Sequence, residues 1–412
     1  MKTPMKNTGL LKDKILIPKN EDMTAFACIA CDQFTSELEY WKELESLVGD
    51  KKSALKLVLP EIYLEDNPEE RIAKINAQIN SYLDGGVFEE LPEGFILTVR
   101  KTPYVEKRIG LIGTLDLEQY EYAKKSDALI RATEGTIEER IPPRLKIRKD
   151  ASVEFPHIMV LFDDEKREIT EALYENRENY KKIYDFELNM GGGHLTGYFI
   201  PNGDQIIEKF AHLLDSERLI KKYGREDNFI FAVGDGNHSL ATAKTHWNKV
   251  KETLSEEERK THPARRALCE FVNVYDEGIY FEPIFRFVNG VDKKAFLEGL
   301  AKVDGGIMRV YDGTLVNQNG NASLPQGITN VDAYIKDYIA KNGGVVDYIH
   351  GETNLFKLVD GSDSAVGILF EKLDKGDLFK YVSQNGAFPR KTFSMGEGIE
   401  KRYYLEGRRI TK

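Results

Sequence analysis

The sequence predicts an α/β to α+β protein built on a mixed sheet, and three observations support this. Residues 229–233, Phe-Ile-Phe-Ala-Val, form an unbroken apolar run, the pattern of a strand covered on both faces. Gly234-Asp235-Gly236 interrupts the run, and residues 239–247 then read as a helix of small residues ending at Trp247. Along the rest of the chain, short apolar runs alternate with stretches of helical spacing, as they do when helices cover a sheet.

In chain order, 14–18 and 26–30 read as strands, and the second leads into a polar turn at 31–37 that opens a helix containing Tyr40 and Trp41. Residues 53–59 read as a strand closed by Pro60. Ile72, Ile75, Ile79 and Leu83 recur at helical spacing and stop at Gly85-Gly86. Strands are expected at 95–99, 109–117 and 152–162, the last containing Pro156-His157. Pro142-Pro143 forbids one continuous helix over 130–148, so the arginines there are not expected to form a helical stripe. A charged helix is expected at 168–184, a lid or loop at Gly191-Gly192-Gly193, a strand at 198–200 and an amphipathic helix at 204–223. Beyond the central turn, 249–260 reads as a charged helical face and 267–274 and 279–286 as strands. Helix and strand patterns alternate from 292 to 385, with a polar loop at 317–326. Three lobes are expected, at 1–150, 151–290 and 291–412, the last returning to the site.

Composition narrows the function classes. The chain has 412 residues, of which 31% are charged, in the range of ordinary globular proteins. A net charge of −10 disfavours non-specific binding to nucleic acid or anionic membrane. No apolar run has transmembrane length, and the N-terminus lacks an apolar signal core, so a cytosolic protein is expected. Three cysteines do not make a disulfide framework, and the Cys28-x-x-Cys31 pair lacks the second pair of a structural zinc site.

The chemistry gathers at the central turn. Gly234 and Gly236 let a ligand approach the main chain. The helix is expected to start near Ser239, as its cap, and to point free amides and the positive end of its dipole at an anion. Asp235, Asn237, His238 and Ser239 place acid, amide, imidazole and hydroxyl groups there, and Asp235 is the candidate metal ligand. Three other polar segments would have to converge on it. Asp32 and Glu134 are candidate bases, Glu134 lying between two hydroxyl residues. Arg140, Arg144, Arg286, Arg390 and Lys391 are candidate phosphate partners, since guanidinium forks suit bidentate anion holding. His157 reads more readily as a hydrogen-bonded core histidine than as a catalyst.

The stretch Val233-Gly-Asp-Gly-Asn-His-Ser-Leu-Ala-Thr-Ala243 resembles the family called domain of unknown function 1015. So do Ala30-Cys-Asp-Gln-Phe34, Ile130-Arg-Ala-Thr-Glu-Gly-Thr136, Arg140-Ile-Pro-Pro-Arg144, Pro156-His157 and Pro389-Arg-Lys-Thr-Phe-Ser-Met395, a resemblance spanning about residues 20–407. The Asp-Gly-x-His turn also resembles the ParB/sulfiredoxin superfamily, which includes free-serine kinases. That resemblance implies nucleotide phosphates near Gly236 to Ser239. Asn237 stands where sulfiredoxin has cysteine, which argues against its chemistry. Ser239 stands where the kinases have arginine, so phosphate charge has to be met elsewhere.

The expected activity is therefore a phosphotransferase, a small-molecule kinase with free serine as one acceptor, using Mg²⁺ with ATP, ADP or pyrophosphate. The alternatives are a non-enzymatic nucleotide- or metabolite-binding protein and a phosphate-ester hydrolase. The expected partner is a small-molecule or nucleotide ligand, with no nucleic acid and no membrane.

Overall fold

In the computed structural model the apolar run becomes strand Phe231–Asp235, with Phe229 and Ile230 buried ahead of it. The structure describes residues 6–29, 34, 37–64, 66–136, 139 and 141–412. These form two units: residues 1–279, 382–386 and 397–412 make the first, and residues 280–381 and 387–396 the second.

Among the described residues the first unit carries a mixed sheet of ten strands. Phe231–Asp235 pairs in parallel with Ile130–Ala132 on one side and antiparallel with Met159–Phe162 on the other. Met159–Phe162 runs parallel to Arg266–Asn273, and antiparallel pairing continues from there through Arg108–Asp116, Gly94–Lys101, Gly193–Pro201 and Lys181–Leu188. Residues alternate between two apolar layers, as a pleated sheet requires. Leu97, Leu111, Phe231, Val233 and Phe271 face one core, which holds Phe210 and Trp247. Ile96, Ile112, Leu195 and Leu268 face the other, which holds Phe26, Trp41, Ile75 and Ile79.

The second unit is a six-stranded sheet centred on Phe281–Asn289, which pairs antiparallel with Val345–His350, Val366–Phe370 and Phe393–Met395. Val288, Phe296, Met308, Ile328, Val331 and Ile368 fill its core against helix Leu324–Asn342. The fold is thus mixed α/β with a large mixed sheet, as its strand and helix patterns predict.

Several elements differ from their sequence patterns for local reasons. Residues 53–59 are not a strand: the Ser53 hydroxyl accepts from the Leu55 amide and starts a single 3₁₀ turn, Ala54–Lys56. The helix expected at 168–184 shrinks to Thr170–Glu175, because Tyr184, Phe186 and Leu188 alternate with Asp185 and Glu187 at strand period in Lys181–Leu188. The triple glycine turns that strand back into Gly193–Pro201. Gly193 has φ +86°, and a Cβ there would lie 2.0 Å from the Lys101 carbonyl oxygen. Residues 204–223 form two helices, Asp204–His212 and Ser216–Tyr223. The loop at 317–326 is instead the end of strand Leu315–Asn319 and the start of helix Leu324–Asn342, with Pro325 in the first turn where its missing amide is harmless.

Pro142-Pro143 acts in the same way. Helix Ile141–Lys149 takes the prolines in its first turn, while Arg131 lies in strand Ile130–Ala132, so no continuous helix runs over 130–148, as expected, and Arg144 and Arg148 share the shorter helix. Its Arg148 pairs with Glu154 at 2.6 Å. Both charges act on His246 of helix Asn237–Lys251.

Trp247 is fully buried, and its indole N–H donates to Glu118. Trp247→Ala should therefore cost about 3–5 kcal/mol, read as a lowered urea midpoint at unchanged slope. His246 is held neutral, its pKa lowered to about 4 by burial first and the Arg148 charge second. The unfolded chain protonates near the ordinary value of 6.5. Stability from this group is complete above that pH and drains away as pH falls toward 4, by on the order of 3 kcal/mol. Urea midpoints of His246→Gln should fall less than wild type between pH 7 and pH 4.5; parallel curves would refute this.

Candidate functional site

The central strand ends at Asp235, and Gly236 makes the turn with φ 79° and ψ 25°. That left-handed geometry strains any residue with a side chain, and a Cβ would also meet Ile158 Cα at 3.0 Å. The helix starts at once, as Asn237–Lys251, so Ser239 is its third residue and not its cap. The expected cap is displaced because Gly236 reverses the chain three residues before Ser239. Gly236 has no side chain to cap the helix. Leu240 is the first residue whose amide bonds back, to the Gly236 carbonyl at 3.0 Å, so the amides of Asn237, His238 and Ser239 precede the helical ladder. Asp235 Oδ1 accepts the Gly236 amide at 2.9 Å. Gly234 lies within the strand, without left-handed φ.

Sheet pairing brings other segments to this edge. Val233 is level with Ala132 on the parallel neighbour, and the Thr133 hydroxyl donates to the Val233 carbonyl at 2.6 Å. Glu134 and Asp235 therefore leave the same, carboxyl end of two adjacent strands, where ligands of open α/β sheets bind. Both are half-buried. Met159 pairs with Asp235 on the other side, which places His157 and Ile158 beside the turn. The His157 ring meets the Tyr404 ring edge-on at 5.4 Å. Tyr403–Tyr404 in turn pairs with Cys28–Ile29. Two oxygens of this region are buried and have no hydrogen-bond partner among the described residues: Asn237 Oδ1 and Thr136 Oγ1.

The remaining expectations fare differently. Asp32 follows strand Cys28–Ile29 but, like Cys31 and Arg140, lies outside the described residues. Arg144 is half-buried on helix Ile141–Lys149, which packs on helix Asn237–Lys251. Arg286, Arg390 and Lys391 belong to the second unit. Arg286 is fully buried, and its fork is spent on Asp332 with two 2.8 Å bonds, while one Nη donates to the Lys391 carbonyl. Arg390 and Lys391 are exposed. Cys28 is buried, its thiol pushed up to about 12 by burial, which makes it inert as a nucleophile. Among the described residues no group of three or more His, Cys, Asp or Glu side chains could hold a metal ion.

Sequence reasoning missed a cation beside the turn. Lys401 Nζ lies 3.6 Å from Asp235 Oδ2, with 11% of the lysine side chain exposed. The backbone that delivers it is clamped. Arg100, 1% exposed, donates to the carbonyls of Ile399 at 2.6 Å, Glu400 at 3.1 Å, Lys401 at 2.6 Å and, twice, Gly192. Arg108 adds a bond to the Glu400 carbonyl, and Thr102 one to the Glu400 carboxylate. A signal existed. Arg100 and Arg108 sit at the ends of two apolar strands, one residue beyond the expected limits of 95–99 and 109–117.

Among solved structures, the chain is similar to a conserved hypothetical protein from Pyrococcus furiosus, at 9% identity and TM-score 0.36 over 71% of this chain and 93% of that one. It is similar to a free serine kinase in complex with AMP, at 8% identity and TM-score 0.39 over 71% and 90%. It is similar to SbnI with a C-terminal truncation from Staphylococcus aureus, at 11% identity and TM-score 0.37 over 71% and 85%. No curated protein matches it. Residues 14–374 match the model of the family described as "Protein of unknown function (DUF1015)", and the chain belongs to that family.

Proposed function

We propose that the turn from Asp235 to Ser239 binds the phosphates of a nucleotide or polyphosphate, and that the protein transfers a phosphoryl group to a small hydroxyl compound such as free serine. The observation that carries this is the left-handed Gly236, which starts a fifteen-residue helix with no capping side chain at the carboxyl end of the central strand. The positive end of the helix dipole thereby faces the turn, where it favours an anion.

The neighbouring groups suit the rest of the reaction. Phosphoryl transfer asks mainly for positioning and charge neutralisation. The acceptor hydroxyl has to lose its proton as its oxygen bonds to phosphorus and the donor's bridging P–O bond breaks. Glu134, leaving the adjacent parallel strand, is the base this reading assigns, with Asp32 as the other candidate. Asp235 is the carboxylate that would hold Mg²⁺. One carboxylate together with donor phosphates is an ordinary magnesium ligand set. The ion would supply positive charge to the phosphates.

The test is phosphorus NMR of the purified protein with ATP, ADP or pyrophosphate, magnesium and a panel of hydroxyl amino acids. Transfer to one acceptor is expected. Release of phosphate without an acceptor would indicate a hydrolase, and donor binding without turnover a binding protein. No donor binding at all would remove the proposal. Glu134→Gln should lower turnover by roughly 10²- to 10⁴-fold while leaving donor affinity within about threefold. Gly236→Ala should weaken donor binding and cost about 1–2 kcal/mol in stability, read by calorimetric titration and urea midpoint together.

A further inference from the structure

We propose that Lys401 is the cation that neutralises the ligand's phosphate at the central turn, and that the C-terminal segment around it forms one wall of the site. This rests on the anion-binding reading of that turn. Residues 235–239 are Asp-Gly-Asn-His-Ser and include no lysine or arginine, so a polyanion bound there needs a cation from elsewhere. Helix amides alone contribute partial charge.

Lys401 meets the requirement by position. Its ammonium carries three donors and is strongly hydrated when free, so enclosing it calls for several acceptors. Among the described residues its partner is Asp235 Oδ2, at 3.6 Å, which is past good hydrogen-bond length. The side chain is thus mostly enclosed, and its ammonium lies beside the turn with donor capacity left for a phosphate oxygen. Asp235, at 3.6 Å, keeps the ammonium beside the turn.

The surrounding chain holds the lysine in place and leaves it little freedom. Arg100 gathers three successive carbonyls, Ile399, Glu400 and Lys401, and Arg108 reinforces the middle one. Glu397 and Glu400 close a reciprocal capping box on the turn just before. Tyr404, three residues on, packs against His157. The whole segment lies beyond residue 374, where the family match ends. It therefore supplies to the site a group that the matched region does not contain.

Calorimetric titration with ADP, pyrophosphate and adenosine separates this from a structural ion pair. Lys401→Met should weaken ADP and pyrophosphate by roughly 10- to 100-fold, as expected for loss of a charged hydrogen bond. Adenosine should be unaffected, and Lys401→Arg should retain most of the affinity. Should Lys401→Met fail to fold, Lys401→Gln gives the same comparison. If wild type binds ADP and the neutral variants bind it within twofold, Lys401 is not the phosphate partner and the turn still is the site. If the neutral variants lose ADP and adenosine equally, the lysine is structural and the proposal falls. If wild type binds neither ADP nor pyrophosphate, the reading of the turn falls and this one with it.

Discussion

The site depends on the level at which two parallel strands end. Val233 stands opposite Ala132, and the Thr133 hydroxyl fastens that register by bonding the Val233 carbonyl. A one-residue slip would turn Phe231 and Val233 out of their core and present the opposite side chains. With both strands buried, such a slip is strongly opposed. The register brings Glu134 and Asp235 out at one edge, and Gly236 can then reverse the chain against Ile158 without a Cβ in the way. The placing of the helix start, with the positive end of its dipole at the turn, follows from that reversal. The chemistry proposed for the turn is thus a consequence of strand alignment more than of any property of the loop.

The second constraint is the buried guanidinium of Arg100. Burial, with Arg108 close by, pulls its pKa down to about 9. A charge so enclosed is tolerated when its donors are met, and five bonds to carbonyl oxygens meet them. Those carbonyls are backbone, so the interaction reads no particular side chains in the tail. It fixes the path of the chain, and the path decides where Lys401 projects.

Legibility in the sequence followed the range of the forces involved. The central strand, the helix after it and the helix ending at Gly85 were visible because apolar spacing and glycine are local signals. The segment 168–184 misled because its charges suit a helix surface, while its alternating Tyr184, Phe186 and Leu188 are ordered by pairing with residues 193–199. Arg286 looked like an anion ligand, yet it spends its fork on Asp332, forty-six residues away in sequence. Of the candidate site residues, Asp235, Asn237, His238 and Glu134 come to one edge. Nothing in the residues around Lys401 adds it to them; the signal lay about 300 positions earlier, in Arg100 and Arg108 at the strand ends, which set its place.

That separation bears on how the site comes into being. Arg100 and Glu400 are 300 positions apart. Closing so long a loop costs entropy that contacts across the whole unit have to offset. A phosphate turn that relied on its own side chains could be complete once strand and helix had formed. Here the turn itself carries a carboxylate and no lysine or arginine, and Lys401 arrives only when the C-terminal segment docks. Charge balance at the turn is therefore coupled to completion of the first unit. A partly folded chain would present Asp235 to an anionic ligand with helix amides alone to offset it.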